Sequence, residues 1–445
     1  MASAAEQLAS SINFGAFAKA TELKNRIWFT LGALVIYRLG TYIPLPGIDP
    51  AVLAQIFQQH GGGVLGMFDM FSGGALRRMT IFALNIMPYI SASIIMQLLT
   101  SVSPTLDQLK KEGEAGRKKL NQYTRIGTVF LAAIQAYGIA VGLESMQGGA
   151  AVMNAGIFFR VTTVVTLTGG TIFLMWLGEQ ITARGVGNGT SLIIFSGIVA
   201  NLPSALVRTL ELGRTGAISV AVIAAMLVAA VVVIGGIVFF ERAQRRILVQ
   251  YPKRQTGNRM SSGEASHLPL KLNSSGVIPP IFASSLLALP ATVASFNSAN
   301  GPQWLQTVSI WLTHGHLVYM LLYVGLISFF AFFYTAIVFN PVDTADNLKK
   351  YGGFIPGIRP GKNTAEYLDY VLTRLTVLGA AYLSVVCILP ELLISEYSLP
   401  FYFGGTSLLI VVSVTMDTVA QIHSHLLAHQ YEGLIKKAKL RGRRG

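Results

Sequence analysis

Apolar positions in this chain come in long unbroken runs instead of at the period of two or of three to four that marks half-buried strands and helices. Ten runs, at 27–43, 79–99, 126–143, 156–177, 190–207, 217–240, 273–294, 317–339, 375–394 and 403–425, have the length and apolarity that predict membrane-crossing helices. Polar stretches of very unequal charge separate them.

Two apolar phrases occur twice. "NIMPYISASII" (Asn85 to Ile95), in the second run, is nearly repeated as "GVIPPIFASSL" (Gly276 to Leu286) in the seventh. Pro88 aligns with Pro279, Ile90 with Ile281, Ala92 with Ala283 and Ser93 with Ser284. "GNGTSLIIF" (Gly187 to Phe195), in the fifth run, pairs with "FGGTSLLIV" (Phe403 to Val411) in the tenth. Both pairs lie five runs apart, so the chain reads as two five-span halves, 1–216 and 217–425, followed by a basic tail over 426–445.

Composition agrees with a membrane protein. Of the 445 residues 52% are hydrophobic and only 12% charged, with mean hydropathy +0.55, whereas soluble domains carry roughly 25% charged residues. Residues 1–24 hold no apolar run and include Glu6 and Glu22, so neither a cleaved signal peptide nor a transit peptide is expected there. Cys387 is the single cysteine, which allows no intramolecular disulfide.

A net charge of +14 raises nucleic acid as a partner, and the placement of the cations changes that picture. Of 34 Lys and Arg, 28 fall in 1–26, 100–125, 178–189, 241–272, 341–374 and 426–445. Only 2 fall in the alternate segments 43–75, 143–155, 202–216, 295–317 and 391–402; Arg38, Arg77, Arg78 and Arg160 stand at span ends. This asymmetry predicts both termini in the cytoplasm and fixes the direction of every span. Partners five spans apart then run in opposite directions, the pattern of an inverted repeat.

Inverted repeats place the functional path at their interface, near mid-bilayer. Proline frees a backbone carbonyl, and Ser or Ala lets helices approach, so the repeated phrases suit faces that meet protein or a water-filled cavity. Ion-coupled transporters keep ionisable groups at the midplane. The middles of spans two, five and seven hold none, and the repeated elements offer Ile86, Ile90, Ile194, Ile281 and Ile410 in their place. A constriction ringed by isoleucine excludes water and ions without recognising a solute; any one of these side chains equally suits an ordinary core.

Between the first two spans, "GGGVLGMFDMFSGGALRRM" (Gly61 to Met79) contains a short apolar part, Val64 to Phe71. As a helix it would be about 12 Å long, far short of a ~30 Å bilayer core. Glycines bracket it as hinges. It suits a movable stopper, and it suits an interfacial helix equally well.

Other motifs carry no chemistry. "HSHLLAH" spaces His425 and His429 for a metal but lacks the glutamate of a zinc protease. "GVGNG" (Gly185 to Gly189) follows no strand, "GEAGRKK" (Gly113 to Lys119) lacks phosphate-loop spacing, and Asp417 suits a local pair. The expectation is a non-enzyme without metal or cofactor, driven by a partner. A secondary transporter would need a midplane ionisable site. A pore-less scaffold or insertase would need neither ring nor stopper.

The phrases "YIPLPGID", "MFSGGAL", "IFALNIMPYISASIIMQLLT", "FLMWLGEQIT", "GVGNG", "SHLPLK", "NPVDTADNLKKYGGFIPGIRPG" and "PFYFGGTSLLI" lie within a resemblance running from about Leu23 to Lys439. On them the chain is identified as a member of the SecY family of protein-translocation channels. The resemblance implies an all-α integral membrane fold: ten transmembrane helices in two inverted-topology five-helix halves around a central pore, with a short plug helix. It implies a channel that passes unfolded secretory proteins across the membrane and releases transmembrane segments sideways into lipid.

Carried over residue by residue, the resemblance puts a pore ring on Ile86, Ile90, Thr190, Ile194, Ile281 and Ile410, with Thr190 standing where an aliphatic side chain is usual. The plug covers about 62–76, with apolar residues Val64, Leu65, Met67, Phe68, Met70 and Phe71. A lateral gate lies between spans two and three on one side and seven and eight on the other. Its polar seam maps onto Ser91, Gln135 and Asn273. Hydrogen bonds between membrane helices average about 0.6 kcal/mol, weak enough to be parted. Docking loops fall at 241–272 and 341–374, with Arg242, Arg245, Arg246, Lys253, Arg254, Arg259 and Arg359 as contacts and Asn258 where relatives often carry a basic residue. The turn "PGIRPG" presents the Arg359 guanidinium, a group suited to carboxylates and phosphates.

The implied partners are the small subunits SecE and SecG, the motor ATPase SecA, and the ribosome, whose RNA attracts Lys and Arg. Accessory insertase and SecDF-type proteins, signal peptides, nascent chains and membrane lipid complete the set. The implied location is the bacterial inner membrane.

Overall fold

The computed structural model describes residues 21–49, 51–53, 55, 69, 71–145, 152–216, 219–251, 255–256, 259–260, 265–296, 311, 316–397 and 405–442. Its helices are α1 (Thr21–Gly40), α2 (Met87–Val102), α3 (Pro104–Lys111), α4 (Glu114–Ser145), α5 (Ile157–Arg184) and α6 (Gly189–Arg214). They continue as α7 (Val220–Arg242), α8 (Ile278–Phe296), α9 (Leu317–Val338), α10 (Pro341–Lys350), α11 (Lys362–Tyr397) and α12 (Gly405–Gly442). A helix overlaps each of the ten apolar runs. Among the described residues, seven are long and apolar enough to cross a membrane: α4, α5, α6, α7, α9 continuing into α10, α11 and α12. An eighth is added if α2 and α3 form one crossing across their 101° bend, which falls where Pro104 ends the ladder of α2. Large apolar side chains such as Phe158, Val231, Leu321 and Val385 stand exposed on these helices. A bilayer is the solvent that suits them, and the chain is a multi-pass membrane protein.

Helix boundaries depart from the apolar runs where proline decides. The second run begins at residue 79, yet 79–86 form turns and α2 starts at Met87, with Pro88 in its first turn. A proline there gives up an N–H that has no partner in any helix start, so Pro88 opens the helix instead of kinking it. The seventh run behaves alike: α8 starts at Ile278, one residue before Pro279. The long polar stretches are also more ordered than loops. Residues 241–272 include a hairpin of β1 (Gln244–Gln250) against β4 (Ala265–Lys271), antiparallel with Gln244 opposite Lys271, and a smaller pair, β2 (Gln255–Thr256) against β3 (Arg259–Met260). The fold is therefore helical with a small β component.

Neighbour relations are alike in the two halves. In the first, α5 touches α1, α4 and α6, α2 touches α4, and α1 touches α6. In the second, α11 touches α7, α9 and α12, α8 touches α9, and α7 touches α12. The halves meet along two seams: α6 and α1 against α12 on one side, α2 and α4 against α8 on the other. The α4–α5 hairpin is fixed by two ion pairs. Arg125 makes a bidentate pair with Glu179 (3.0 and 2.6 Å), and Arg160 contacts Glu144 (2.6 Å), whose other oxygen accepts the Gly156 N–H.

Candidate functional site

The repeated phrases start helices in the same register. Asn85 (φ +50°) and Gly276 (φ +63°), aligned by the repeat, both take the left-handed conformation just ahead of α2 and α8. In the other pair, α6 starts at Gly189 and α12 at the aligned Gly405. A Cβ on Gly189 would lie 1.9 Å from the Gly178 carbonyl oxygen of α5, and one on Gly405 2.0 Å from that of Val386 in α11. Each helix start is thus pressed onto the backbone of the preceding long helix, which glycine alone permits.

These four helix starts converge on one apolar cluster. Ile86, Ile90, Ile194 and Ile410 belong to it, and Ile281 packs against it. Ile86 is fully buried and Ile410 nearly so. Thr190 lies one turn earlier on α6. Its hydroxyl donates to Asn188 Oδ1 (2.7 Å), which also accepts the Thr190 N–H, so the polar end serves the helix cap. Its methyl group points at Gly178.

Of the plug residues, Phe71 is described: it is buried in the same cluster. Val64, Leu65, Met67, Phe68 and Met70 lie outside the described residues. The stretch after Phe71 is held by main-chain bonds and by side chains that the sequence reading did not single out. The Phe71 carbonyl accepts from Asn85 (2.6 Å), that of Ser72 from Tyr37 (3.3 Å), that of Gly73 from Arg38 (2.8 Å) and Arg78 (3.0 Å), and that of Gly74 from Arg78 Nε (3.0 Å). Gly73–Gly74, expected as a hinge, is clamped. Burial pushes the nearby Asp69 carboxyl above its ordinary range, opposed by the Arg77 N–H that it accepts (2.7 Å).

At the second seam, Ser91 is buried on α2 and Gln135 half-buried on α4. Asn273 is buried just ahead of α8. Its amide donates to Glu241 (2.8 Å) and to the Gly276 carbonyl (3.0 Å), while its oxygen accepts from Ser275 (2.9 Å). Both donors are thus committed on its own side of the seam. Nearby, between α2, α3 and α4 on one side and α9 and α10 on the other, lies a cleft of about 1040 Å³. Phe333, Tyr334 and Ile337 form part of its wall, and Asp107, Lys110 and Asp343 are among its charged residues.

The polar stretches 241–272 and 341–374, expected as docking loops, share one small core. Ile247, Val249 and Leu270 of the hairpin pack with Ile355 and with Leu368, Val371 and Leu375 of α11. Gln250 and Phe354 exchange both main-chain hydrogen bonds (2.9 Å each). Arg242, Arg245, Arg246 and Arg359 are exposed on this body. The Arg359 turn has Gly357 at φ +83° and Gly361 at φ +106°, and Thr364 donates to the Arg359 carbonyl (2.9 Å). Lys253 and Arg254 lie outside the described residues, and of Arg259 only the place in β3 is described.

The sequence model of the SecY family matches residues 80–419. This chain belongs to the SecY family. It is 57% identical over 422 residues to the protein translocase subunit SecY of Rickettsia conorii, a match covering 94% of this chain and 97% of that one. Its backbone resembles a solved structure described as "The structure of a protein conducting channel", with TM-score 0.66 and 18% identity over 90% of this chain and 92% of the other. A second, "Sec61 in the Canine ribosome-channel complex from the endoplasmic reticulum", gives TM-score 0.63 and 17% identity over 90% and 92%. The fold is that of the SecY and Sec61 channels.

Proposed function

We propose that this chain is the channel subunit of a protein translocase, passing unfolded secretory polypeptides across the bacterial inner membrane. The observation that carries the reading is the gathering of Ile86, Ile90, Ile194, Ile281 and Ile410, from both halves, in and against one buried cluster at helix starts repeated in register. Such a gasket seals against water and ions, yet branched aliphatics yield to any chain that is pushed through. Thr190 stands beside the ring, its hydroxyl spent on the cap and its methyl turned to Gly178 of α5. In this reading ten helices cross the membrane as two inverted five-helix halves, both termini face the cytoplasm, and residues 62–76 close the pore as a plug. The shared neighbour pattern of the halves supports the inversion, and the burial of Phe71 supports the plug.

The seam of α2 and α4 with α8 is then the lateral gate, through which apolar segments pass into lipid. The aromatic-walled cleft beside it is its cytoplasmic mouth. The hairpin, the Arg359 turn and α10 are the docking body for the motor ATPase SecA and for the ribosome, with four exposed arginines available for carboxylates or phosphates. SecE and SecG complete the complex, and accessory insertase and SecDF-type proteins act beside it.

The reading is tested by stalling a nascent secretory chain in the reconstituted complex, with photocrosslinkers at Ile90, Ile281 and the exposed Phe158. Crosslinks at the two isoleucines and none at Phe158 are expected. Equal yields at all three positions would contradict a central path.

A further inference from the structure

Arg38 and Arg78 are among the few cations that stand where the charge pattern predicts almost none. Arg38 ends α1 and Arg78 follows Gly73–Gly74, both on the face that the cation asymmetry puts outside the cytoplasm. Among the described residues neither guanidinium hydrogen-bonds a carboxylate, although the Asp69 charge lies near Arg78; both donate to main-chain carbonyls. Four successive carbonyls, from Phe71 to Gly74, each accept a side-chain hydrogen bond, and Gly73 accepts two. The Arg78 guanidinium lies 4.1 Å from the centroid of the Tyr42 ring and that of Arg38 5.2 Å from it, with Arg38 also donating to the Tyr42 hydroxyl (3.2 Å). One ring holds both cations in place.

The glycines complete the device. Gly73 and Gly74 have φ of +67° and +83°. A Cβ on Gly73 would lie 2.8 Å from Arg38 Nη1, and one on Gly74 2.9 Å from Arg78 Nη2. Glycine supplies the left-handed backbone and leaves room for the guanidiniums to reach the carbonyls. On the opposite side Gly197 of α6 touches this stretch, where a Cβ would lie 2.4 Å from the Phe71 carbonyl. Every group in the clamp (Tyr37, Arg38, Tyr42, Arg78, Asn85 and Gly197) belongs to the first half of the chain.

We propose that Arg38 and Arg78 are positioning residues that latch the root of the plug to the first half of the channel. Phe71–Gly74 is then a clamped root and not a pair of free glycines, and the latch biases the idle channel toward closure. The inference rests on the plug reading given above. Its chemistry is specific to arginine: the planar fork of Arg78 reaches two carbonyls at once, which a lysine ammonium does not reproduce.

The test uses the full translocase complex in lipid with Arg38→Gln, Arg78→Gln, the double variant, Arg78→Lys and Tyr42→Leu. Two quantities are read in the idle state: amide hydrogen exchange over 71–76, and ion conductance. The double variant is expected to speed exchange there at least about tenfold and to raise conductance, with Arg78→Lys intermediate. Tyr42→Leu keeps both arginines and replaces an exposed ring, so it serves if the double variant does not fold. It is expected to speed exchange about two- to fivefold and to raise conductance slightly. Unchanged exchange in the double variant, or in Tyr42→Leu where that is the variant that folds, would overturn the latch and leave the plug reading standing. Faster exchange with unchanged conductance would overturn the plug reading itself, and the latch's role in closure with it.

Discussion

Asn273 and Glu241 sit at the two ends of the chain that forms the β1–β4 hairpin, and their 2.8 Å hydrogen bond closes its base above the Leu272-to-Ala243 main-chain bond. Asn273→Leu would leave a half-buried carboxylate without its donor, at a cost of about 1–3 kcal/mol. The expected outcome in a detergent melting experiment is a clear loss for Asn273→Leu and a double variant with Glu241→Leu that loses less than the sum of the singles. Strict additivity would mean that the two groups do not act as a pair. Position 273 was singled out through the resemblance, as one polar group of a seam, and a buried asparagine needs a partner. Its partner was not, since Glu241 lies beyond a hairpin whose closure only the folded chain brings about. The clamp arginines were similarly half-legible. Arg38 and Arg78 were noted only as charges at span ends, and nothing in the spacing of positions 38, 73 and 78 announces carbonyls as their targets.

At the scale of elements, the start of each repeated helix is decided by one residue. Gly405→Ala would put a Cβ 2.0 Å from the Val386 carbonyl, so α12 must shift away from α11. Overpacking of this kind costs about 1–3 kcal/mol. Gly235→Ala, on α7 where no atom lies within 4 Å of the new Cβ, is the matched control and should be neutral or slightly stabilising. Comparable losses in thermal stability for the two variants would contradict the close approach. Apolar runs gave away the existence of the helices, because bilayer-spanning length is a property of sequence alone. They misplaced the start of α2 by eight residues, since 79–86 are as apolar as the helix that follows but are held in turns by Met79 (φ +44°) and Asn85 (φ +50°). The hairpin escaped notice for a different reason: its alternation is only two residues long on each strand, Ile247 and Val249 on β1 and Leu268 and Leu270 on β4, too short a pattern beside so many cations.

Taken whole, the molecule is two similarly wired halves joined at two seams, with an aliphatic cluster where their helix starts meet. The long apolar runs made the helical membrane fold legible, and the two repeated phrases foretold helix starts in matching register, because both survive any error in helix ends. The five isoleucines of the repeated phrases could each have been ordinary core in the sequence, and the structure gathers them in and against one buried cluster. The central claim is that this cluster is the seal of a protein-conducting pore. The most direct measurement is ion flux through the idle, reconstituted complex carrying Ile90→Asp, compared with Val231→Asp on the exposed face of α7. A carboxylate in the ring hydrates the constriction, so flux is expected to rise well above wild type for Ile90→Asp alone. Flux through Ile90→Asp indistinguishable from wild type, in complexes of equal content and stability, would contradict the account.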